Sequence, residues 1–363
     1  MDVDVLIVGA RIAGSVLAIR LGGSGLRVLL VDRATFPSPT LSTHFFRGSG
    51  CAGVLADLGV LDEVLGWGAP KLVCEYDHDA LAGTTDVSHE EDPGELGFNL
   101  SVRREPLDAL LVRTAAACEG VEVRERTSLV ELTAEDGRVD GARLTGPDGD
   151  LDVTARVVVG ADGHASKVAA LVGARDEIVE EPSRIMYYRY VRDMPGPNGA
   201  ADGPEFSLGD DELLYAFPSD GDHTCVAVSM PIGAYPIVRR DPARAFAERL
   251  AAHPALGPRV AAAEPSGRLF GCGPRPSVVR QAWGPGWALA GDAGLYQDPW
   301  TGAGMDNASM HATYLADALL AWLAGSESEG PALARFVERR DADSMEGFRE
   351  SVSFGRDLSR LRT

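Results

Sequence analysis

The stretch VLIVGARIAGSVLAIRLGGSGLRVLLVDR, residues 5–33, constrains the fold more than any other part of the chain. An unbroken apolar run ends at Gly9, a small-residue segment follows, and a second apolar run ends at Asp32. Continuous runs of this kind suit strands buried on both faces, as in a parallel sheet covered by helices. We expect a strand over 3–8, a helix over 12–21 and a strand over 27–31. Gly9 allows the sharp turn out of the first strand, and a small residue at Ala13 or Gly14 lets helix and strand pack closely. The helix start can then bind a pyrophosphate through its free N–H groups and its dipole. Asp32 lies 18 positions after Gly14, where a carboxylate accepts hydrogen bonds from a ribose diol. Arg11 stands where a glycine usually permits close backbone approach. Its guanidinium either lies over the phosphates or points to solvent. Taken alone, the motif also fits a strand-to-helix turn with no ligand.

A chain of 363 residues can hold two or three domains, or one large fold with an inserted layer. Its formal charge of −20 repels nucleic acid and anionic membrane surfaces and is read as a solvated acidic surface. The five cysteines form no CxxC, so neither a disulfide framework, a zinc site nor a disulfide reductase is expected. Asp2 and Asp4 run straight into a strand, unlike a signal peptide. No apolar run reaches the roughly 18 residues that span a bilayer. A cytoplasmic protein is expected.

Further along, residues 50–65 carry apolar positions at helical spacing, and 106–120 opens with Pro106 and closes with Gly120, as helix capping prefers. Residues 121–155 alternate, with turn signals at Asp136-Gly137 and Asp148-Gly149, and read as antiparallel strands. Residues 183–268 hold alternating strands and a short helical part, read as a separate sheet layer. Helices are expected over most of 303–325 and 331–349.

Two more motifs lie at strand-to-helix junctions. VVVGADGHASKVA (157–169) places Asp162 after a buried strand. LAGDAGLYQDPWTGAGMDN (289–307) ends a strand at Gly291-Asp292 and leads through Pro299 to Gly302, Ala303 and Gly304, where a long helix begins. This third motif suits a flavin. Asp292 can bind ribityl hydroxyls, and N–H groups near Gly302 and Gly304 can face the electron-rich pyrimidine edge. A helix N-terminus there stabilises anionic reduced flavin.

In this order the three motifs resemble the FAD-dependent monooxygenases of the p-hydroxybenzoate hydroxylase type. That superfamily also holds geranylgeranyl-reductase-like enzymes and flavin-dependent halogenases. The resemblance implies an α/β fold: a Rossmann-like FAD-binding domain with an inserted, mainly antiparallel β-sheet substrate domain and C-terminal helices. We place the FAD-binding domain at 1–70, 98–182 and 268–325, the substrate domain at 71–97 and 183–267, and a C-terminal helical segment at 326–363. It further implies FAD held by Gly9, Ala13, Gly14, Asp32 and Asp292, with the 299–304 loop beside the isoalloxazine. Asp162 lies near the cofactor in such enzymes. Arg104 matches an arginine placed on the FAD, and Arg33 one that packs on the adenosine end. Arg11 is compatible with such flavoproteins when the other two motifs are present. Where the family often reads G-x-G-x-N, this chain has Asp306, with Asn307 one step later. Either Asn307 substitutes or backbone N–H groups suffice.

The resemblance names the superfamily more sharply than the reaction: a monooxygenase is expected first, with a geranylgeranyl-reductase-like reductase or dehydrogenase, a halogenase and a non-catalytic flavin-binding module as alternatives, and the monooxygenase course would be as follows. NAD(P)H reduces FAD, oxygen forms a C4a-hydroperoxide, and a dry pocket directs it to a small aromatic or natural-product substrate. No second nucleotide-binding turn is visible, so NAD(P)H has no domain of its own. A homodimer and a partner flavin reductase are both compatible with this. LLYAFPSDGD (213–222) resembles a geranylgeranyl-reductase segment, with Ala216 in place of its tryptophan. Lys71 stands where a halogenase lysine would be sought, in a context that does not match. Candidates for the reacting side are His44, an acid or base near neutral pH, together with Tyr215 and Pro299. Arg47, in the same loop as His44, is a candidate for FAD or NAD(P)H phosphate. Tyr188 and Tyr190 share one strand face, as do Tyr215 and Phe217, and Tyr188, Tyr190 and Phe217 are the candidate substrate contacts. An aromatic sheet face packed in the core is the alternative for these.

Overall fold

A computed structural model of the chain describes residues 1–42, 44–79, 83–88, 96–209 and 211–362. Parts of the segment 71–97, assigned above to a substrate domain, therefore lie outside the described residues. The strand Asp2–Val8 sits inside an eight-stranded sheet. It pairs in parallel with Val28–Val31 on one side and with Gly149–Gly160 on the other. Trp287–Leu289 and Val121–Arg124 extend the parallel run outward. Leu6, Ile7, Leu29, Leu30, Val158 and Val159 are fully buried, as strands covered on both faces require. Helix α1 (Ile12–Leu21) packs on this sheet with α2 (Arg104–Ala117) beside it.

The parallel register puts four strand ends at one edge. Val8 aligns with Val31 and Gly160, and Gly160 aligns with Leu289. Gly9, Asp32, Asp162 and Asp292 each follow one of these ends. Residues scattered over the whole chain thus meet outside the carboxyl edge of the sheet, where open α/β sheets bind ligands.

Three expectations about elements change. Residues 50–65 do not form one helix: a wide turn at Gly48–Ala52 leads into Gly53–Asp57, and Leu61–Gly66 follows. Gly59, at φ +71°, separates the last two. Val121–Arg124 joins the parallel sheet next to Val28–Val31 and is not the first of an antiparallel set. Gly149–Gly160 is one long strand, antiparallel to Arg138–Gly146 at its start and parallel to Asp2–Val8 from Thr154 to its end. A single strand can serve both because each of its edges takes a different partner.

A second sheet has seven strands, in the order Glu264–Cys272, Arg184–Arg192, His223–Pro231, Leu213–Pro218, Glu205–Leu208, Cys74–Asp79 and Gly83–Ser88. All neighbours are antiparallel except Glu205–Leu208 with Cys74–Asp79. Glu264–Cys272 crosses the boundary drawn above between residues 267 and 268. One face, with Tyr187, Leu214, Val226 and Val228, packs on the helices Pro242–Ala252 and Leu256–Ala262 through Phe246, Leu250 and Leu256. The other face carries Met186, Tyr188, Tyr215 and Phe217 and turns toward Phe45, Leu72 and Leu358. The period-two alternation therefore separates Tyr188 from Tyr187 as expected.

Short helix α3 (Lys167–Val172) follows Asp162. Two long helices close the chain, α4 (Gly304–Leu323) and α5 (Glu329–Arg356), and α5 runs seven residues beyond the expected end at 349. Among the described residues, no helix is long and apolar enough to cross a membrane.

Candidate active site

Gly9 has φ +104°, and a Cβ there would lie 2.3 Å from the Ala161 carbonyl oxygen. A Cβ on Gly14 would lie 1.7 Å from the Gly9 carbonyl oxygen. The two glycines thus let the strand end, the helix start and the neighbouring Ala161-Asp162 turn converge. What they leave open is a cleft of about 830 Å3 along the carboxyl edge of the sheet. That size lies in the upper part of the range for small-molecule sites.

Polar groups from separate elements line this cleft. Arg11 occupies the N-cap of α1 and makes no side-chain bond to the helix amides. The first N–H groups of α1 are therefore left for an anion, next to Ile12 and Ala13 on the cleft wall. The Asp32 carboxylate accepts hydrogen bonds from the amides of Ala10 and Ala34, each 2.8 Å, which aims it across the cleft. Arg33 is exposed and also lines it. Asp292 faces the cleft with no hydrogen-bond partner among the described residues, and burial raises its pKa to about 6 against the pull of Arg104, Arg275 and Arg280. An unpartnered carboxylate in such a place needs donors from a ligand. Pro299, Gly302, Gly304 and Asn307 form the adjoining wall. Ala303 is the N-cap of α4 and offers no side-chain cap, so the start of this 20-residue helix is also free. Free amides, a carboxylate placed to accept from a diol and an unpaired, half-buried carboxylate together fit a dinucleotide with a polyhydroxyl chain, as FAD has.

Arg11 takes neither position foreseen for it. Its Nη1 donates to the fully buried Asp108 carboxylate at 2.5 Å, and its Nη2 to Ser38 Oγ at 3.1 Å and the Pro39 carbonyl at 3.3 Å. The guanidinium also lies over the Phe36 ring. Arg104 grips the same Asp108 carboxylate through Nε and Nη2 at 3.1 and 2.9 Å while lining the cleft. Asp162 lines the cleft too, but it accepts from the Ser166 hydroxyl and the amides of Lys167 and Val168 and so caps α3.

Several expected site residues stand elsewhere. Arg47 does not line the cleft. It is half exposed and pairs with Asp306 at 3.2 Å. Asp306 accepts the amides of Arg47 and Cys51, and burial raises its pKa to about 6. Gly50 has to be small here, because a Cβ would lie 2.3 Å from Asp306 Oδ1. Asp306 is thus spent on the 48–52 turn, and Asn307, not Asp306, lines the cleft. Tyr215 is buried behind the cleft and donates to the Trp300 carbonyl at 2.8 Å, so the reacting role read from sequence gives way to bracing the turn after Pro299. Phe217 packs on Phe45 and does not reach the cleft. Tyr190 lies behind Tyr188 with its hydroxyl 2.5 Å from His44 Nε2. His44 is buried at φ +69°, and burial and the nearby Arg104 and Arg103 push its pKa well down, which leaves it neutral and off the cleft wall. Tyr188 does line the cleft, held by its hydroxyl bond to the Thr40 carbonyl at 2.9 Å.

Sequence reading missed Thr40, Leu41, Met186, Cys272 and Tyr296, which line the cleft beside Tyr188. His164 stacks edge-on against Tyr296 at 4.4 Å between ring centres and lines the cleft as well. No local pattern marks these residues. They come together only when the second sheet packs against the first.

A family profile described as an FAD binding domain matches residues 2–346. The digeranylgeranylglycerophospholipid reductase of Methanosarcina mazei is 26% identical over 84% of this chain and 72% of its own. The probable electron transfer flavoprotein-quinone oxidoreductase YgcN of Escherichia coli is 30% identical over 80% of this chain and 70% of its own. Among solved structures, the myxobacterial chondrochloren halogenase superposes with a TM-score of 0.87 at 23% identity, covering 97% of this chain and 82% of that one. PqsL, a probable FAD-dependent monooxygenase from Pseudomonas aeruginosa, superposes with a TM-score of 0.81 at 25% identity over 99% and 96%. The chain belongs to the FAD binding domain family and is an FAD-dependent oxidoreductase.

Proposed function

We propose that this oxidoreductase is a monooxygenase acting on a small aromatic or natural-product substrate, with NAD(P)H as the reductant. The observation that carries the reading is the shape of the cleft. It runs without interruption from the α1 amides to the Tyr188 wall, and its roughly 830 Å3 must hold the whole dinucleotide. At the end beside Pro299 the cleft is walled by Tyr188, Tyr296 and Met186, side chains that suit an aromatic ring.

When bound, FAD supplies the redox chemistry, accepting hydride from the nicotinamide and delivering reducing equivalents to oxygen. The remaining work falls to the chain. The amides at the start of α1 hold the pyrophosphate, Asp32 the ribose diol, and Asp292 the ribityl hydroxyls. Arg104 adds positive charge along the phosphates. Amides at Gly302 and Gly304, the Asn307 amide group and the α4 dipole would lie at the pyrimidine edge of a bound flavin and would favour negative charge there. Met186, Tyr188 and Leu41 exclude water from the substrate side. Among the described residues there is no second nucleotide-binding turn, so the nicotinamide donor enters the same cleft transiently or reduction is supplied by a partner.

A halogenase reading finds no support in Lys71, whose ammonium lies over the Phe98 ring at 4.7 Å and outside the cleft. A reductase of the geranylgeranyl type is the second reading, favoured by the match to the methanogen enzyme. The deciding experiment is rapid mixing of the anaerobically reduced, FAD-loaded protein with oxygen. A transient species absorbing differently from both oxidised and reduced flavin is expected. Single-step reoxidation, with and without aromatic ligands, moves the assignment to the reductase.

A further inference from the structure

The turn after Asp298 borders the cleft and is held from behind by the opposite end of the chain. Asp298 caps the turn by accepting from the Trp300 amide at 3.2 Å. The Trp300 carbonyl accepts from the Tyr215 hydroxyl at 2.8 Å, which ties it to the second sheet. The Trp300 indole Nε1 donates to the Ser351 carbonyl at 3.1 Å, which ties it to α5. That part of α5 is itself pinned. Arg184, with its side chain fully buried, reaches the Gly355 carbonyl at 3.4 Å while its other donors hold Ser229 Oγ and the Asp211 carbonyl at 2.8 Å each. Leu358, buried to 1%, then enters the same apolar cluster as Tyr188 and Tyr215. Gly355 sits at the closest point, where a Cβ would lie 2.7 Å from Ser183 Oγ and 3.0 Å from Trp300 Nε1.

We propose that Trp300 is a positioning residue through which the last turns of α5 hold the cofactor-side turn, so that residues 351–358 belong to the active site. The physical reason is that Pro299, Gly302 and Gly304 have no side-chain polar group to hold themselves in place. Gly302 sits at φ +73°, a conformation open to glycine without strain, so the turn needs outside support to present its amides in one orientation. The support comes from Ser351 on α5, 51 positions later, and from the neighbouring sheet, at one residue. The inference rests on the reading that this turn borders the flavin.

Two variants press on the same contact from opposite sides. Trp300→Phe keeps the ring and removes the indole N–H. Gly355→Ala pushes a methyl group against Trp300 and Ser183. Each is loaded with FAD and compared with the wild-type holoenzyme for FAD affinity, visible bands of the bound flavin and midpoint potential, with circular dichroism as the check on folding. Both variants are expected to fold, to shift the flavin bands and the potential in the same direction, and to lose about fivefold in FAD affinity, the worth of one net hydrogen bond. A purely structural role would leave the bands and potential of the FAD-saturated protein unchanged. Trp300→Phe with wild-type bands, potential and affinity overturns the proposal, and it decides alone if Gly355→Ala does not fold. A wild-type chain that takes up no FAD overturns the cofactor reading instead, so the two failures are told apart.

Discussion

Replacing Arg11 with the glycine usual at its position asks what the guanidinium does. In the structure it serves Asp108 and the 36–39 loop, with no part in capping α1. Arg11→Gly removes a charge-assisted bond to a buried carboxylate, worth about 1.5–3 kcal/mol. Asp108 is not orphaned, because Arg104 still grips it through two donors, and this keeps the loss toward the lower end. The added freedom of a glycine in the unfolded chain costs a further ~0.5–1 kcal/mol, although glycine itself is acceptable at an N-cap. The expected destabilisation is about 2 kcal/mol, roughly a thirtyfold change in the unfolding equilibrium constant. Urea denaturation of the FAD-free protein reads it as a lower midpoint at unchanged slope, and Arg11→Ala separates the pair from the backbone effect. FAD affinity, followed by flavin fluorescence, is expected to change by less than about threefold, since the α1 amides proposed to hold the phosphates are untouched. An unchanged urea midpoint refutes the argument about the ion pair. A loss of more than about tenfold in FAD affinity shows instead that the guanidinium acts on the phosphates.

Two further perturbations test the cleft edges. Gly14→Ala places a Cβ 1.7 Å from the Gly9 carbonyl oxygen, a backbone atom that cannot swing away, so FAD retention during purification should be lost together with several kcal/mol of stability, about 3 or more, read by denaturant midpoint. Asp306 has a folded pKa of about 6, above its unfolded value, so its ionisation opposes folding: the stability linked to its neutral form is complete below about pH 4 and is lost as pH rises through 6. Asp306→Asn keeps acceptors for the Arg47 and Cys51 amides and removes that titration, so the stability difference between variant and wild type should grow in favour of the variant from pH 4 to 7, and a flat difference over that window counts against the buried-carboxylate account.

The residues that follow the parallel strands were readable because the signals are local. The turn at Gly9, the carboxylate at Asp32 and the glycines before α4 depend on backbone conformations that only certain residue types adopt, and the helix over 12–21 lies where its apolar spacing put it. The partnerships of charged side chains were not readable. Arg11 and Arg47 both sit beside the cofactor motifs in sequence, yet one turns to Asp108 on α2 and the other to Asp306 on α4. Those carboxylates lie 97 and 259 positions away, so no local pattern could have named them. His44 shows the same limit. A histidine in a loop near a flavin reads as an acid or base, but burial between Tyr188 and Tyr190 makes it neutral and removes it from the cleft.

By itself, then, the sequence determined the buried parallel strands and the edge of the sheet where the cleft opens, because strand periodicity, glycine conformation and helix ends are set by neighbours a few residues apart, while the resemblance of its three motifs to a known family supplied the class of fold and the cofactor. Only the tertiary structure decided which face of the second sheet closes the cleft, that Asn307 and not Asp306 lines it, and that the end of α5 braces the turn at Trp300. Those outcomes depend on which buried groups find partners across long stretches of chain. Burial makes an unpaired charge or amide costly, so the whole packing arrangement, and no single motif, settles where each one turns.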